Sequence, residues 1–71
     1  MKFNFTHHAQ ERMLLRKVTS EMVKFIINNP IHKEYQDGQT VVKGIVQGRT
    51  LRVVYRYEKS THVIITTYYE D

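Results

Sequence analysis

His8 and Arg12, four residues apart, are the pair whose residue types and spacing could support catalysis. On a helix, positions i and i+4 lie on the same face. Histidine titrates near neutral pH and serves as a general acid or base, and the arginine guanidinium has donors that match the geometry of phosphate. The pair therefore fits phosphate binding with proton transfer, although the spacing alone favours an ordinary solvated helix face.

A basic segment further along the chain contains three arginines: Arg49, Arg52 and Arg56. On a strand, Arg52 and Arg56 lie on one face. Such a row of charges could follow a nucleic-acid backbone, and Lys43 could extend it from the neighbouring strand. The alternative is a charged face that only keeps the sheet soluble. Tyr55 and Tyr57 fall on the opposite face, so we expect them in the core rather than stacked on bases.

Near the end of the chain, two threonines are followed by two tyrosines, residues 66–69. A phenol such as that of Tyr68, next to arginines, could donate a hydrogen bond to phosphate or to a ribose hydroxyl, and a pKa of about 10 makes it a better acid than base. The alternative, which the sequence alone favours, is that these residues are present because threonine and tyrosine have high strand propensity. No two of the four histidines have the spacing of a helical zinc site, so we expect no metal and no other cofactor.

Length and composition predict one domain, residues 1–71, with a formal charge of +4. This charge favours a polyanionic partner such as nucleic acid. The alternative is a solvated, slightly basic surface with no such partner. The chain has no cysteine, and small secreted domains usually depend on disulfides, so we expect a cytoplasmic protein. No segment approaches the roughly 20 apolar residues of a membrane span, so we expect no membrane contact.

Two helices are predicted near the start of the chain, over residues 7–16 and 20–29. Their apolar residues recur with helical rather than alternating spacing. Thr6 and Thr19 precede them and are suitable N-caps, because a threonine hydroxyl accepts a hydrogen bond from an amide of the first turn. Pro30 ends the second helix, since the residue before proline avoids helical geometry.

After the proline the apolar spacing changes to two, which predicts strands over residues 32–36, 40–46, 50–57 and 62–69. Asp37-Gly38 is a strong hairpin-turn signal. We therefore expect an α+β fold, with two N-terminal helices packed on a four-stranded antiparallel sheet. Leu51 and Val53 would face the helices, and Arg52 would lie on the uncovered face.

A pattern spanning nearly the whole chain carries a family resemblance. It runs H8-A9-x-x-R12-M13-x-x-R16, then V18 and T19-S20, then N29-P30, then R49-x-L51-R52-V53-V54-Y55, and finally V63-I64-I65-T66-x-Y68. In order and spacing it resembles the small bacterial domain-of-unknown-function family 4258, which is similar to the RelE-like and barnase-like ribonuclease toxins of the BECR fold. One departure is Lys17, where the family often has glycine.

The resemblance implies a metal-independent endoribonuclease, such as the toxin of a toxin–antitoxin system. The implied catalytic residues are His8, Arg12, Arg52 and Tyr68. In this hypothesis His8 is the general base and the arginines stabilise negative charge on the phosphate. Tyr68 donates a hydrogen bond or a proton to the leaving oxygen. Further residues would hold the RNA: Lys43, Arg49, Arg56 and Thr66. The expected partners are RNA and an acidic antitoxin protein, with the chain a monomer or weak dimer; the alternatives are a non-catalytic RNA-binding module or a protein-interaction domain.

Overall fold

A computed structural model describes residues 1–70. Its elements in chain order are β1 (Lys2–Phe5), α1 (His7–Arg16), α2 (Ser20–Asn28), β2 (His32–Gln36), β3 (Gln39–Val46), β4 (Arg49–Glu58) and β5 (Thr61–Glu70). The predicted α+β class is confirmed, and so are both helices and the four strands that follow them. Their ends differ from the prediction by at most one residue.

The sheet has five strands rather than four, in the order β1-β5-β4-β3-β2. Strand β1 pairs in parallel with β5, whereas the other neighbours are antiparallel. The prediction of a purely antiparallel four-stranded sheet is therefore wrong. Strand β1 is only four residues long, and its partner is the most distant strand in the chain, so neither periodicity nor a hairpin turn marks it.

Threonine caps begin both helices as predicted. The Thr6 hydroxyl accepts a hydrogen bond from the Ala9 amide at 3.1 Å and donates one to the Ile65 carbonyl oxygen at 3.3 Å. This second bond ties the start of α1 to β5. The Thr19 hydroxyl accepts from the Met22 amide at 3.2 Å. Both caps satisfy amides that a helix start otherwise leaves unpaired.

Both helices pack on one face of the sheet and enclose a single apolar core. Residues of both helices, of the connection between them and of the sheet share this core: Ala9, Met13, Val18, Val23, Ile26, Val42, Val46, Leu51, Val53, Tyr55 and Ile64. Strand β3 approaches α2 so closely that a Cβ atom on Gly44 would lie 3.1 Å from Ile26 Cγ1. The small residue inside the strand therefore permits this close packing.

The sheet presents its opposite face without a covering helix. Alternation along β4 places Leu51, Val53 and Tyr55 in the core and Arg52 on the uncovered face, as predicted. Tyr57 continues the core-facing series but is 61% exposed, so its assignment to the core is wrong. It lies near the end of β4, outside the apolar cluster that the helices cover.

Candidate functional site

A pocket of about 620 Å³ lies where the C-terminal end of α1 meets the start of β4 and the end of β5. We call it the arginine pocket. Its lining residues are Leu15, Arg16, Lys17, Arg49, Tyr68 and Tyr69. Three of these carry a positive charge, two carry a phenol, and none carries a carboxylate. The pocket therefore offers hydrogen-bond donors and positive charge, the environment that an anion requires.

Helix α1 and the residue that caps its C-terminal end supply two of the three cations. The half-buried Arg16 donates a hydrogen bond from Nη1 to the Thr67 carbonyl oxygen at 3.1 Å, which holds the guanidinium at the edge of β5. Lys17 ends the helix in the left-handed conformation, with φ 58°. A residue with a side chain is strained there by about 1–2 kcal/mol. This is the position where the resembled family often has glycine, and here it places an ammonium group at the pocket.

Strand β4 supplies the third cation, and an aromatic ring holds it in place. The guanidinium carbon of Arg49 lies 3.7 Å from the centre of the Tyr69 ring, which is a close cation–π contact. Arg49 and Tyr69 share the helix-covered face of the sheet, because Tyr69 pairs with Leu51 in the strand register. Arg49 therefore lies on the face opposite Arg52, and the three predicted strand arginines do not form one row.

Tyr68 lines the same pocket from the uncovered face of β5. It pairs with Arg52 in the register, and Arg52 in turn pairs with Lys43 on β3. Thr66 lies two residues before Tyr68 on the same face and pairs with Val54. The structure thus brings Arg49 and Tyr68 to one pocket and places Arg52, Lys43 and Thr66 beside it on the sheet.

The acidic Glu70 lies among the predicted cations of the uncovered face. Arg52 Nε donates to its carboxylate at 2.6 Å, and Lys43 Nζ lies 3.7 Å from the same oxygen. The hydrogen bond from Arg52 lowers the pKa of Glu70 and raises the pKa of Arg52. Arg56 is similarly paired with Glu58. The row of positive charge expected on this face is therefore interrupted by carboxylates.

His8 and Arg12 lie on α1, and Arg16 continues their four-residue spacing into the arginine pocket. His8 is exposed and Arg12 is half-buried. Within residues 1–70, neither side chain has a hydrogen-bond or ion-pair partner. The eight positions between His8 and Arg16 correspond to about 12 Å along the helix axis. His8 does not line the pocket, and its role as a base remains a prediction.

The ion pair of Glu70 with Arg52 predicts that the difference in unfolding free energy between wild type and Glu70→Gln depends on pH. Because the folded-state pKa of Glu70 is below its ordinary value of 4.5, its stabilising effect is present above that value and is lost as pH falls through the lowered pKa. Wild type should exceed Glu70→Gln slightly in unfolding free energy at pH 7, and the two should converge in acid. Urea denaturation at several pH values measures this.

The control for this effect is the same substitution in an Arg52→Gln background. With its main partner removed, Glu70→Gln should change the pH dependence much less, since a double-mutant cycle isolates the interaction of the two side chains. An equal effect in both backgrounds would show that the Arg52 contact contributes nothing to stability in solution.

Three polar residues of the arginine pocket were missed from the sequence: Arg16, Lys17 and Tyr69. Arg16 could have been found, because it continues the spacing of His8 and Arg12. Lys17 and Tyr69 carried no comparable signal, since their place depends on how α1 docks against the end of β5. Over residues 1–70, no three side chains of His, Cys, Asp or Glu converge on a possible metal position.

Comparison with known proteins gives one match. The family model described as a domain of unknown function, DUF4258, matches residues 5–69. Neither the curated proteins nor the solved structures gave a match. Neither helix in the described part of the chain is long and apolar enough to cross a membrane.

Proposed function

The chain belongs to the DUF4258 family, and we propose that it binds RNA and cleaves it without a metal ion, with the arginine pocket as its phosphate site. One observation carries the proposal: three cationic side chains and two phenols line one pocket that no carboxylate of residues 1–70 lines. A phosphodiester is the anion that such a set of donors fits best, because arginine binds phosphate with parallel hydrogen bonds.

Two of the cations are already held in place. Arg16 is fixed by the Thr67 carbonyl, and Arg49 by the Tyr69 ring. Ordering a long side chain costs about 0.5–1.5 kcal/mol when a ligand binds. Contacts that fix these arginines beforehand reduce that cost, and each guanidinium keeps donors free for phosphate oxygens. These contacts support a role in binding rather than in general surface charge.

The proposed reaction is transfer within the RNA strand. The ribose 2′-oxygen forms a bond to the adjacent phosphorus, the bond from phosphorus to the 5′-oxygen breaks, and a 2′,3′-cyclic phosphate remains. His8, the base predicted from the sequence, lies about 12 Å along α1 from Arg16 and outside the pocket. Water in the pocket therefore takes the proton of the 2′-hydroxyl, and Tyr68 supplies a proton to the leaving oxygen. The arginines stabilise negative charge that grows on the phosphate, which is usually the largest contribution to catalysis.

The proposal extends to biological context through the resemblance to RelE-like toxins. In that context the protein acts in the cytoplasm, where its RNA substrate is found, and an acidic partner protein neutralises it. The formal charge of +4 supports an acidic partner, because complementary charge accelerates and orients association. Such a partner would cover the half-buried Arg12 and the exposed Lys17, which are both cationic.

The test is incubation of the purified protein with single-stranded RNA in the presence of EDTA. We expect cleavage to continue, with products that carry 2′,3′-cyclic phosphate ends on mass spectrometry. Cleavage that EDTA abolishes would contradict the metal-independent mechanism. A matched incubation with DNA of the same sequence should give no cleavage, since DNA has no 2′-hydroxyl.

The absence of an imidazole from the lining of the arginine pocket favours a second candidate, an RNA-binding module without catalysis. This function predicts intact RNA after incubation, together with salt-dependent binding. For three phosphate contacts on a single strand, log K should fall with log salt with a slope of about −2. Intact RNA with this slope would select the binding module, and a flat titration would exclude both functions.

A further inference from the structure

A second pocket lies at the other end of β5, on the face of the sheet that carries the helices. It has a volume of about 390 Å³ and is lined by Lys33, Thr40, Tyr55, Tyr57 and His62. We call it the tyrosine pocket. Six positions of a strand separate His62 from Tyr68, a distance of about 20 Å. The tyrosine pocket is therefore separate from the arginine pocket.

An aromatic cluster forms one wall of the tyrosine pocket. The centre of the His62 ring lies 5.0 Å from that of Tyr55, 4.9 Å from that of Tyr57 and 5.2 Å from that of Phe3. Tyr55 is buried, whereas Tyr57 leaves 61% of its surface exposed. A rigid ring with one free side is a surface on which a flat ligand can stack.

Polar groups around the same pocket lack partners. His62 Nδ1 is buried without a hydrogen bond, and burial lowers the pKa of His62. Within residues 1–70, the side chains of Lys33, Thr40 and Tyr55 form no hydrogen bond or ion pair. Native proteins rarely leave buried polar atoms unsatisfied. Of the groups around this pocket, the buried atom without a partner is His62 Nδ1, and Lys33 is exposed to solvent. Core packing accounts for the stacked rings, but it accounts neither for this unpaired atom nor for the exposed face of Tyr57.

We propose that the tyrosine pocket binds a nucleobase that carries a phosphate group. The base stacks on Tyr57, and the phosphate pairs with the Lys33 ammonium, which supplies the positive charge of this pocket. Thr40 and Tyr55 supply hydroxyls for the polar edge of the base or for the ribose. The volume falls within the range of small-ligand sites. A free mononucleotide and one nucleotide of an RNA strand offer the same chemistry, and this site does not require RNA cleavage.

The test is an NMR titration of the whole protein with adenosine 5′-monophosphate, with ribose 5-phosphate as the probe that lacks a base. We expect the nucleotide, and not the sugar phosphate, to shift the ring signals of Tyr57 and His62. Tyr57→Ala should weaken binding about tenfold. Tyr35→Ala is the matched control, because Tyr35 is an exposed tyrosine on β2, two strands away from Tyr57, and does not line the pocket. It should leave binding unchanged.

The same titration tests whether Lys33 binds the phosphate, and whether the ligand is a free nucleotide or a nucleotide within RNA. Lys33→Gln should weaken binding of the nucleotide but not of adenosine, which has no phosphate. If only a single-stranded RNA shifts the signals, and Tyr57→Ala but not Tyr35→Ala weakens it, the ligand is a base within RNA. Equal shifts with ribose 5-phosphate, or no shifts with either nucleotide or RNA, would overturn the proposal. Only the ring signals of Tyr57 and His62 are read, so phosphate bound in the arginine pocket does not count as binding here and the result is independent of that pocket.

Discussion

Replacing Arg49 with alanine is expected to lower the rate of RNA cleavage by about 100-fold or more. The guanidinium lies in the arginine pocket, 3.7 Å from the ring of Tyr69, where we propose that it faces the reacting phosphate. Removing one preorganised donor that stabilises transition-state charge typically costs 10²- to 10³-fold in rate, to order of magnitude. Single-turnover cleavage of a labelled RNA at saturating protein measures the effect on the chemical step.

A loss of charge alone must be distinguished from the loss of this contact. Lys59→Ala removes one positive charge from the turn that follows β4, at the end of the strand opposite Arg49. It should leave the cleavage rate near wild type. Arg49→Lys keeps the charge without the planar fork of donors and should be intermediate. Equal rates for Arg49→Ala and Lys59→Ala would remove Arg49 from the catalytic site.

The same variants give a second measurement through binding. Each phosphate contact on a single strand contributes about −0.7 to the slope of log K against log salt. Arg49→Ala should therefore make the slope shallower by about that amount, and Lys59→Ala should not. An unchanged slope for Arg49→Ala would mean that Arg49 does not contact the backbone of the bound RNA.

Replacing Leu51 with alanine is expected to lower the free energy of unfolding by about 2–5 kcal/mol, the usual cost of such a truncation in a core. Leu51 is fully buried on β4, in the apolar cluster beneath the helices. Stability scales with length at roughly 0.05–0.15 kcal/mol per residue, so this loss is a large fraction of the total. Urea denaturation followed by circular dichroism measures it.

Ile45→Ala is the matched control for Leu51→Ala. Ile45 is on the adjacent strand β3 but is 48% exposed on the uncovered face. Because it leaves no closed cavity, the substitution should cost well under half as much. Similar losses for the two variants would mean that the covered face of the sheet is not the main source of stability.

Much of the fold follows from local patterns in the sequence. The threonines before each helix, the proline after the second, and the change of apolar spacing from helical to alternating define six of the seven elements. Strand β1 is the exception. Four residues are too few to show a period, and the evidence for β1 is its pairing with β5, which no local pattern encodes.

The site followed from the sequence only in part. The chemical character of Arg49 and Tyr68 was evident from residue type, and both line the arginine pocket. Arg16 joins them because α1 crosses the edge of β5, and its bond to Thr67 spans 51 positions of the chain. The partners of Arg52 and Arg56 are likewise set by strand register and by nearby carboxylates. Helix docking and pairing of this kind decide which of several basic residues share a site.

The parallel pairing of β1 with β5 sets an order of events during synthesis. The bond from Thr6 to Ile65 joins residues 59 positions apart, and contacts over such long loops form slowly because the entropy of loop closure must be overcome first. Strand β5 also carries Tyr68 and Tyr69. A nascent chain on the ribosome therefore has no arginine pocket until β5 has been made, so the proposed activity on RNA would appear only after all seven elements have been synthesised.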